Sequence, residues 1–145
     1  PEPARVARRL TLPPLALDSG RMLRWATIAY HLDGALNAAR DNVVLVLHAL
    51  TGSADAAGDW WRPQIGAGRA LDTTRLAVLA PNLLGSCYGS SGPATVADFP
   101  ALSVRDQARA IAVLLDALEI PQVRVVVGGS LGGMVALELA ASFPG

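Results

Sequence analysis

The stretch Val125-Val126-Val127-Gly128-Gly129-Ser130-Leu131-Gly132-Gly133-Met134, written VVVGGSLGGM, decides how this chain folds. Three β-branched residues in a row favour a strand, and the run from Leu131 to Phe143 has the length and apolar content of a buried helix. Between the two, one hydroxyl stands among four glycines. Gly128-Gly129-Ser130-Leu131-Gly132 fits G-x-S-x-G with a strand before it and a helix after it, the context in which that motif has meaning. A chain that reverses from strand to helix in so few residues is crowded, which forces the serine into strained backbone angles. Glycine is needed beside it because a Cβ there would strike the neighbouring elements. The hydroxyl is thereby lifted clear of the sheet and set at a helix N-terminus. There the amide of Leu131 and the helix dipole can meet a developing negative oxygen. Two other readings stay open: a purely structural tight turn, and a cradle for a bound anion. The cradle lacks the Lys-Ser/Thr of a P-loop, and its glycines do not have the G-x-G-x-x-G spacing.

An acyl-transferring serine needs a second amide donor, usually from the loop after an earlier strand. Val43 to Leu47 is a continuous aliphatic run, as expected of a strand covered on both faces, and it leads directly into His48-Ala49-Leu50-Thr51-Gly52. The amide of Leu50 is the candidate second donor. His48 has two readings, a general base or a brace for its own loop, and the strand-end position favours the brace. His31 falls in a polar stretch, 31–42, and reads as a surface residue. Cys87 reads as a small packed residue, with a nucleophile beside His48 as the alternative.

Elsewhere the pattern is of short strands alternating with helices. Leu15–Leu17 and Met22–Tyr30 read as two strands joined by the turn signal Asp18-Ser19-Gly20. Residues 49–74 are irregular, Leu76 to Ala80 is a strand ended by Pro81, and a glycine-rich loop runs from Asn82 to Pro93. Ser103 followed by Asp106 is a capping signature. Val104, Ala108, Ile111, Leu115 and Leu118 then make one apolar helix face, and Pro121 prevents continuation. After the strand Val123–Val127, the last helix has only Glu138 and Ser142 as polar residues, so nearly its whole circumference is expected to be buried. The sum is a mostly parallel sheet with helices, preceded by an antiparallel hairpin, and chemistry in such sheets gathers at the carboxyl ends of strands.

The totals narrow the function classes. A chain of 145 residues suffices for one compact domain, and more than half of it is apolar. Twelve arginines balance twelve acidic residues, which argues against nucleic acid or an anionic membrane as the main partner. Arg5, Arg8 and Arg9 read as a solvated basic arm. Cys87 is the sole cysteine, so no disulfide forms within the chain. No secretory signal or membrane span is expected, and a cytoplasmic protein is the default.

With these loops in hand, the sequence resembles the homoserine O-acetyltransferases of the α/β-hydrolase fold. The matching words are HALTG (His48–Gly52), Trp60-Trp61, Gly66-Ala67-Gly68 with Leu71–Arg75, Asn82 to Pro93, Phe99-Pro100, Ser103-Val104-Arg105-Asp106 and GGSLGGM (Gly128–Met134). They occur in family order from about Leu10 onward; Ser91 stands where the family more often has threonine. The resemblance implies an α/β-hydrolase-type sheet that ends here after the nucleophile helix. Residues 1–145 would form the amino-terminal part of one domain whose C-terminal strands and lid lie outside. It implies Ser130 as nucleophile, with Leu50 and Leu131 as oxyanion-hole amides. The triad aspartate and histidine would lie beyond Gly145. The implied reaction moves an acetyl group from acetyl-CoA to the hydroxyl of L-homoserine, a step of methionine biosynthesis, with no bound cofactor and no metal. Succinyl transfer, serine as acceptor and plain hydrolysis are the near alternatives, and a homodimer is the family precedent. A reading of another class is a catalytically incomplete fragment, or a non-enzymatic remnant, that needs a complementary segment. Its motive is the open edge of the Val123–Val127 strand and the uncovered apolar helix beside it.

Overall fold

The computed structural model describes residues 5–144. Seven strands and two helices follow one another as β1 (Arg8–Thr11), β2 (Leu15–Ala16), β3 (Met22–Leu23), β4 (Thr27–Asp33), β5 (Val43–Leu47), β6 (Ala77–Pro81), α1 (Val104–Ala117), β7 (Val125–Gly128) and α2 (Leu131–Ser142). Five strands form one mixed sheet in the order β1-β4-β6-β5-β7. β5 lies parallel to both β6 and β7, while β4 runs antiparallel to β6 and to β1.

The aliphatic runs of β5 and β6 are explained by what covers the sheet. Val43, Leu45 and Leu47, with Ala77 and Leu79, face the helices and pack with Ala108, Ile111 and Leu114 of α1 and Val135 and Leu139 of α2. Val44, Val46, Val78 and Ala80 point the other way, into a second cluster with Ala56, Ile65, Trp60 and Trp61. Alternate side chains thus serve opposite faces, and both faces are dry, so no polar position is left in either strand. The second face is covered by the irregular segment 49–74 in place of a helix. It is held by the tilted ring contact of Trp60 and Trp61 and by the Trp60 indole N–H donating to the Ser53 carbonyl at 3.0 Å.

α1 begins as its sequence demands. The Ser103 hydroxyl accepts from the Asp106 amide and the Asp106 carboxylate accepts from the Ser103 amide, each at 3.0 Å, completing the capping box. The same carboxylate accepts from the amide of Asp18 at 2.9 Å. Asp18 in turn accepts from the Ser103 hydroxyl at 2.6 Å and from Arg109 at 2.7 Å, which hold its carboxyl below the usual range. The turn after β2 is thereby fastened to the head of α1.

Several expectations need correction. Met22–Tyr30 is not one strand: β2 and β3 form a separate two-stranded ribbon, and Trp25, at φ 59°, breaks the chain before β4 enters the main sheet. The antiparallel partner of β4 is β1, in the segment read as a solvated arm. Arg8 and Arg9 are exposed on that edge strand, but Arg5 is ion-paired with Asp33 and Asp55. His31 is not a surface residue; β4 extends to Asp33, and the ring is 7% exposed. Cys87 is exposed rather than packed. The buried stripe of α1 also takes in Ala110 and Leu114, where α2 packs alongside it, and Gln107, which faces Leu84. α2 itself buries only Gly132, Val135 and Leu139, leaving Met134, Leu137 and Phe143 exposed. Its two polar residues do pair, with the Ser142 hydroxyl donating to Glu138 at 2.7 Å while Arg105 of α1 reaches the same carboxylate at 3.0 Å. β7 is an edge strand, as the open-edge reading required.

Candidate active site

Ser130 is the N-cap residue of α2, with φ 52° and ψ −122°. A positive φ at a residue with a side chain costs on the order of 1–3 kcal/mol, so the surrounding structure must impose it. Two glycines show how. A Cβ on Gly132 would collide with the carbonyl oxygen of Leu47, at the end of the neighbouring strand β5. A Cβ on Gly128 would strike the backbone of Gly132. Strand and helix are therefore in backbone contact across the reversal at Ser130, and the crowding falls on Gly128 and Gly132. A Cβ on Gly129, next to the serine, would meet nothing within 4 Å. Its side chain makes no capping bond and the residue is exposed. The serine thus forgoes the usual work of a helix cap.

The loop leaving β5 lies at the same end of the sheet, since Leu47 pairs with Gly128. The segment turns at Gly52, whose amide donates to the Ala49 carbonyl at 2.8 Å. Leu50 is 73% exposed at the top of this turn. Among the described residues, no backbone or side-chain acceptor takes the amide of Leu50 or of Leu131. Leu50 and Leu131 both line a cleft of about 360 Å³, with His48, Leu84, Phe99 and Gln107 among its other walls. Both amides are unclaimed and both residues border the same mostly apolar cleft, where a free N–H can stabilise negative charge.

His48 is the brace of this loop. Its ring is 1% exposed; Nδ1 lies 2.7 Å from the Ala49 carbonyl, and Nε2 accepts from the amide of Leu83 at 2.9 Å. A carbonyl only accepts and an amide only donates, so the proton sits on Nδ1 and both nitrogens are committed. Burial lowers the pKa of the ring, partly offset by the Ala49 carbonyl, which keeps it neutral. The general-base reading of His48 has no free nitrogen to use.

The opposite wall is fastened by side chains whose partners sequence reasoning did not foresee. Gln107 of α1 accepts from the Leu84 amide at 3.1 Å and donates to the Leu84 carbonyl at 2.7 Å. The Asn82 carboxamide accepts from the Ala54 amide at 3.2 Å and donates to Ser86. The hydroxyls of Ser90 and Ser91 accept from the amides of Ala29 and Thr27, at 2.9 and 2.8 Å, anchoring the loop on β4. A threonine in place of Ser91 would retain that acceptor. The one available signal was Gln107, a polar side chain on the inner face of an amphipathic helix.

The chain belongs to the α/β-hydrolase fold family, whose model matches residues 42–145. Within that family it is 46% identical, over 148 aligned positions, to the homoserine O-acetyltransferase of Moorella thermoacetica. That alignment covers 90% of this chain and 40% of that protein. Among solved structures, the homoserine O-acetyltransferase from Bacillus anthracis superposes with a TM-score of 0.87 at 26% identity, covering 97% of this chain and 44% of that one. Esterase E22 superposes with a TM-score of 0.88 at 28% identity, covering 96% and 44%. The chain thus spans about 40% of the length of the curated relatives it matches. Among the described residues, no helix is long and apolar enough to cross a membrane, and no group of three metal-ligating side chains gathers.

Proposed function

We propose that this chain carries the nucleophile and oxyanion hole of an acyltransferase that moves an acetyl group from acetyl-CoA to the hydroxyl of L-homoserine. The observation that carries the reading is Ser130, exposed at φ 52° and head-on to α2. Similarity to homoserine O-acetyltransferases supports the choice of donor and acceptor. In the first half-reaction the Ser130 Oγ attacks the thioester carbonyl, giving its proton to a base. The oxyanion sits between the amides of Leu50 and Leu131, and collapse expels the CoA thiolate, which is protonated as it leaves. In the second, the homoserine hydroxyl attacks the serine ester and restores Ser130. A serine ester carries the acetyl group without a prosthetic group, so acetyl-CoA enters as a substrate.

We place the base outside these 145 residues. The chain holds two histidines; His48 is committed at both nitrogens, and His31 lines none of the cleft at Leu50 and Leu131. The order of the fold family, serine, then acid, then histidine, agrees with a base supplied further along.

Hydrolysis is the second reading, supported by the likeness to esterase E22. The local machinery serves both, and the outcome depends on whether homoserine or water reaches the ester first. The test supplies acetyl-CoA with and without homoserine to the complete gene product that includes this sequence. Release of CoA that depends on homoserine, with acetyl found on its oxygen, is expected; equal release without it would leave a hydrolase. Acetylation of the intact protein should disappear in Ser130→Ala. Label that persists there would place the nucleophile elsewhere.

A further inference from the structure

A larger cavity, of about 970 Å³, shares no lining residue with the cleft at Leu50 and Leu131. Its walls include Arg5, Arg9, His31, Asp59, Cys87 and Tyr88. The pairing of His31 opposite Ala80 turns the imidazole to the sheet face covered by 49–74. More than nine-tenths buried, the ring makes no hydrogen bond among the described residues. No fully buried side-chain nitrogen or oxygen among them lacks a partner, so the His31 nitrogens open to the cavity they line. This is the reverse of His48. Arg5, Asp33 and Asp55 are the charged groups that act on His31, and Arg5 is neutralised by the two aspartates. Burial is the largest influence and lowers its pKa, leaving a neutral imidazole with a free lone pair.

Two further groups face the same space unsatisfied. Cys87 is a free, exposed thiol. The guanidinium of Arg9 has no ion pair among the described residues and lies against Gly89, where a Cβ would stand 3.4 Å from its Nη2. A thiol, a neutral base and an unpaired cation around one cavity suit an acidic molecule that reacts at sulfur. Asp59, also in the wall, carries an opposing charge.

We infer that Cys87 is a thiol–disulfide exchange site for small acidic disulfides, independent of any role for Ser130. The Cys87 thiol yields its proton to the His31 imidazole through solvent in the cavity they share, and the thiolate attacks one sulfur of the disulfide. That S–S bond breaks as the Cys87 S–S bond forms, and the other half departs as a thiolate that takes the proton back from the imidazolium. Arg9 holds a carboxylate or phosphate of the incoming molecule. The incoming disulfide is the oxidant, so electrons balance.

The experiment incubates the complete protein with glutathione disulfide, coenzyme A disulfide or cationic cystamine, each rate normalised to the same reagent with free cysteine. The readout is the mass of the Cys87 peptide. The expected result is a mixed disulfide, reversible by dithiothreitol, formed several-fold faster from the acidic disulfides than from cystamine. The faster of the two acidic reagents identifies the source. Arg9→Gln should abolish the charge preference and Arg9→Lys retain it. His31→Gln should slow exchange several-fold at pH 7 but not at pH 9, where hydroxide replaces the imidazole as base, a split that a merely structural role would not produce. Exchange no faster than with free cysteine, or equal rates for cationic and acidic reagents, overturns the inference.

Discussion

The two helices lie side by side on one face of the sheet, yet they are built to opposite rules. α1 is amphipathic, opens on a complete capping box and buries Ile111 and Leu114 completely. α2 is apolar nearly all round, opens on an uncapped residue at positive φ, and exposes Leu137 to 76% and Met134 to 56%. α1 is stabilised at its ends and along one stripe, as helices of water-soluble domains are. α2 is anchored at its first turn, where Gly132 meets the backbone of β5, and along its inner face by Val135 and Leu139. The difference shows where local stability has been exchanged for geometry: the head of α2 forgoes a cap so that a hydroxyl can stand free.

That contrast can be broken at its strongest point first. Ile111→Ala, in the stripe of α1, should cost about 2–5 kcal/mol in a denaturant titration at low protein concentration. Gly132→Ala tests the first-turn anchor of α2, and should cost about 1–3 kcal/mol as the first turn is pushed off Leu47. A cost near zero there would show that α2 is free to shift.

The floor beneath that anchor is the loop braced by His48. His48→Phe fills the volume but leaves the Leu83 amide and Ala49 carbonyl unpaired, for a loss of about 1–3 kcal/mol. The brace should also be sensitive to acid. A ring whose folded pKa lies below its ordinary 6.5 takes up a proton in the unfolded state first. Stability should therefore fall as pH drops from about 6.5 through the lowered folded value, and His31 adds to the same window. A melting temperature unchanged between pH 7 and 5 would contradict the neutral, buried assignment.

The caps give the sharpest pair. Ser103→Ala should destabilise by about 1 kcal/mol through loss of the capping bond. Ser130→Gly should stabilise by about 1 kcal/mol, since glycine accepts the positive φ and no capping bond is lost. Equal signs for the two would refute the account of α2. The smallest effect is expected at Leu137→Ser, within about 0.5 kcal/mol, with a fall in concentration-dependent association by sedimentation.

How much was legible in the sequence follows from the range of each determinant. β5, the capping box of α1 and the strand–serine–helix junction are set by neighbours within a few residues and appeared close to their reading. The last strand, however, runs Val125–Gly128 in place of Val123–Val127, and a Cβ on Gly129 would meet open space. β1 is a strand only because β4 offers a free edge; Arg8-Arg9-Leu10-Thr11 carries no alternation of its own. The split at Trp25 rests on a bulky residue adopting a left-handed backbone, which local preference opposes and tertiary packing imposes. His31 looked polar and therefore exposed, but its depth is set by β6 and by 49–74 lying across it. At the candidate site the motif residues were legible, while Gln107 and Asn82 were not, because their partners are backbone groups 23 and 28 residues away.

The twofold clasp of Gln107 on Leu84 has a bearing on selectivity. It fixes that side of the cleft to the body of the molecule at both the N–H and the C=O of one peptide, so the wall has no room to retreat before a bulky guest. Under the proposed function, molecules entering there would be sorted by whether they fit an unyielding outline, and an enlarged repertoire would come from replacing Phe99 or Leu84 rather than from loosening the loop.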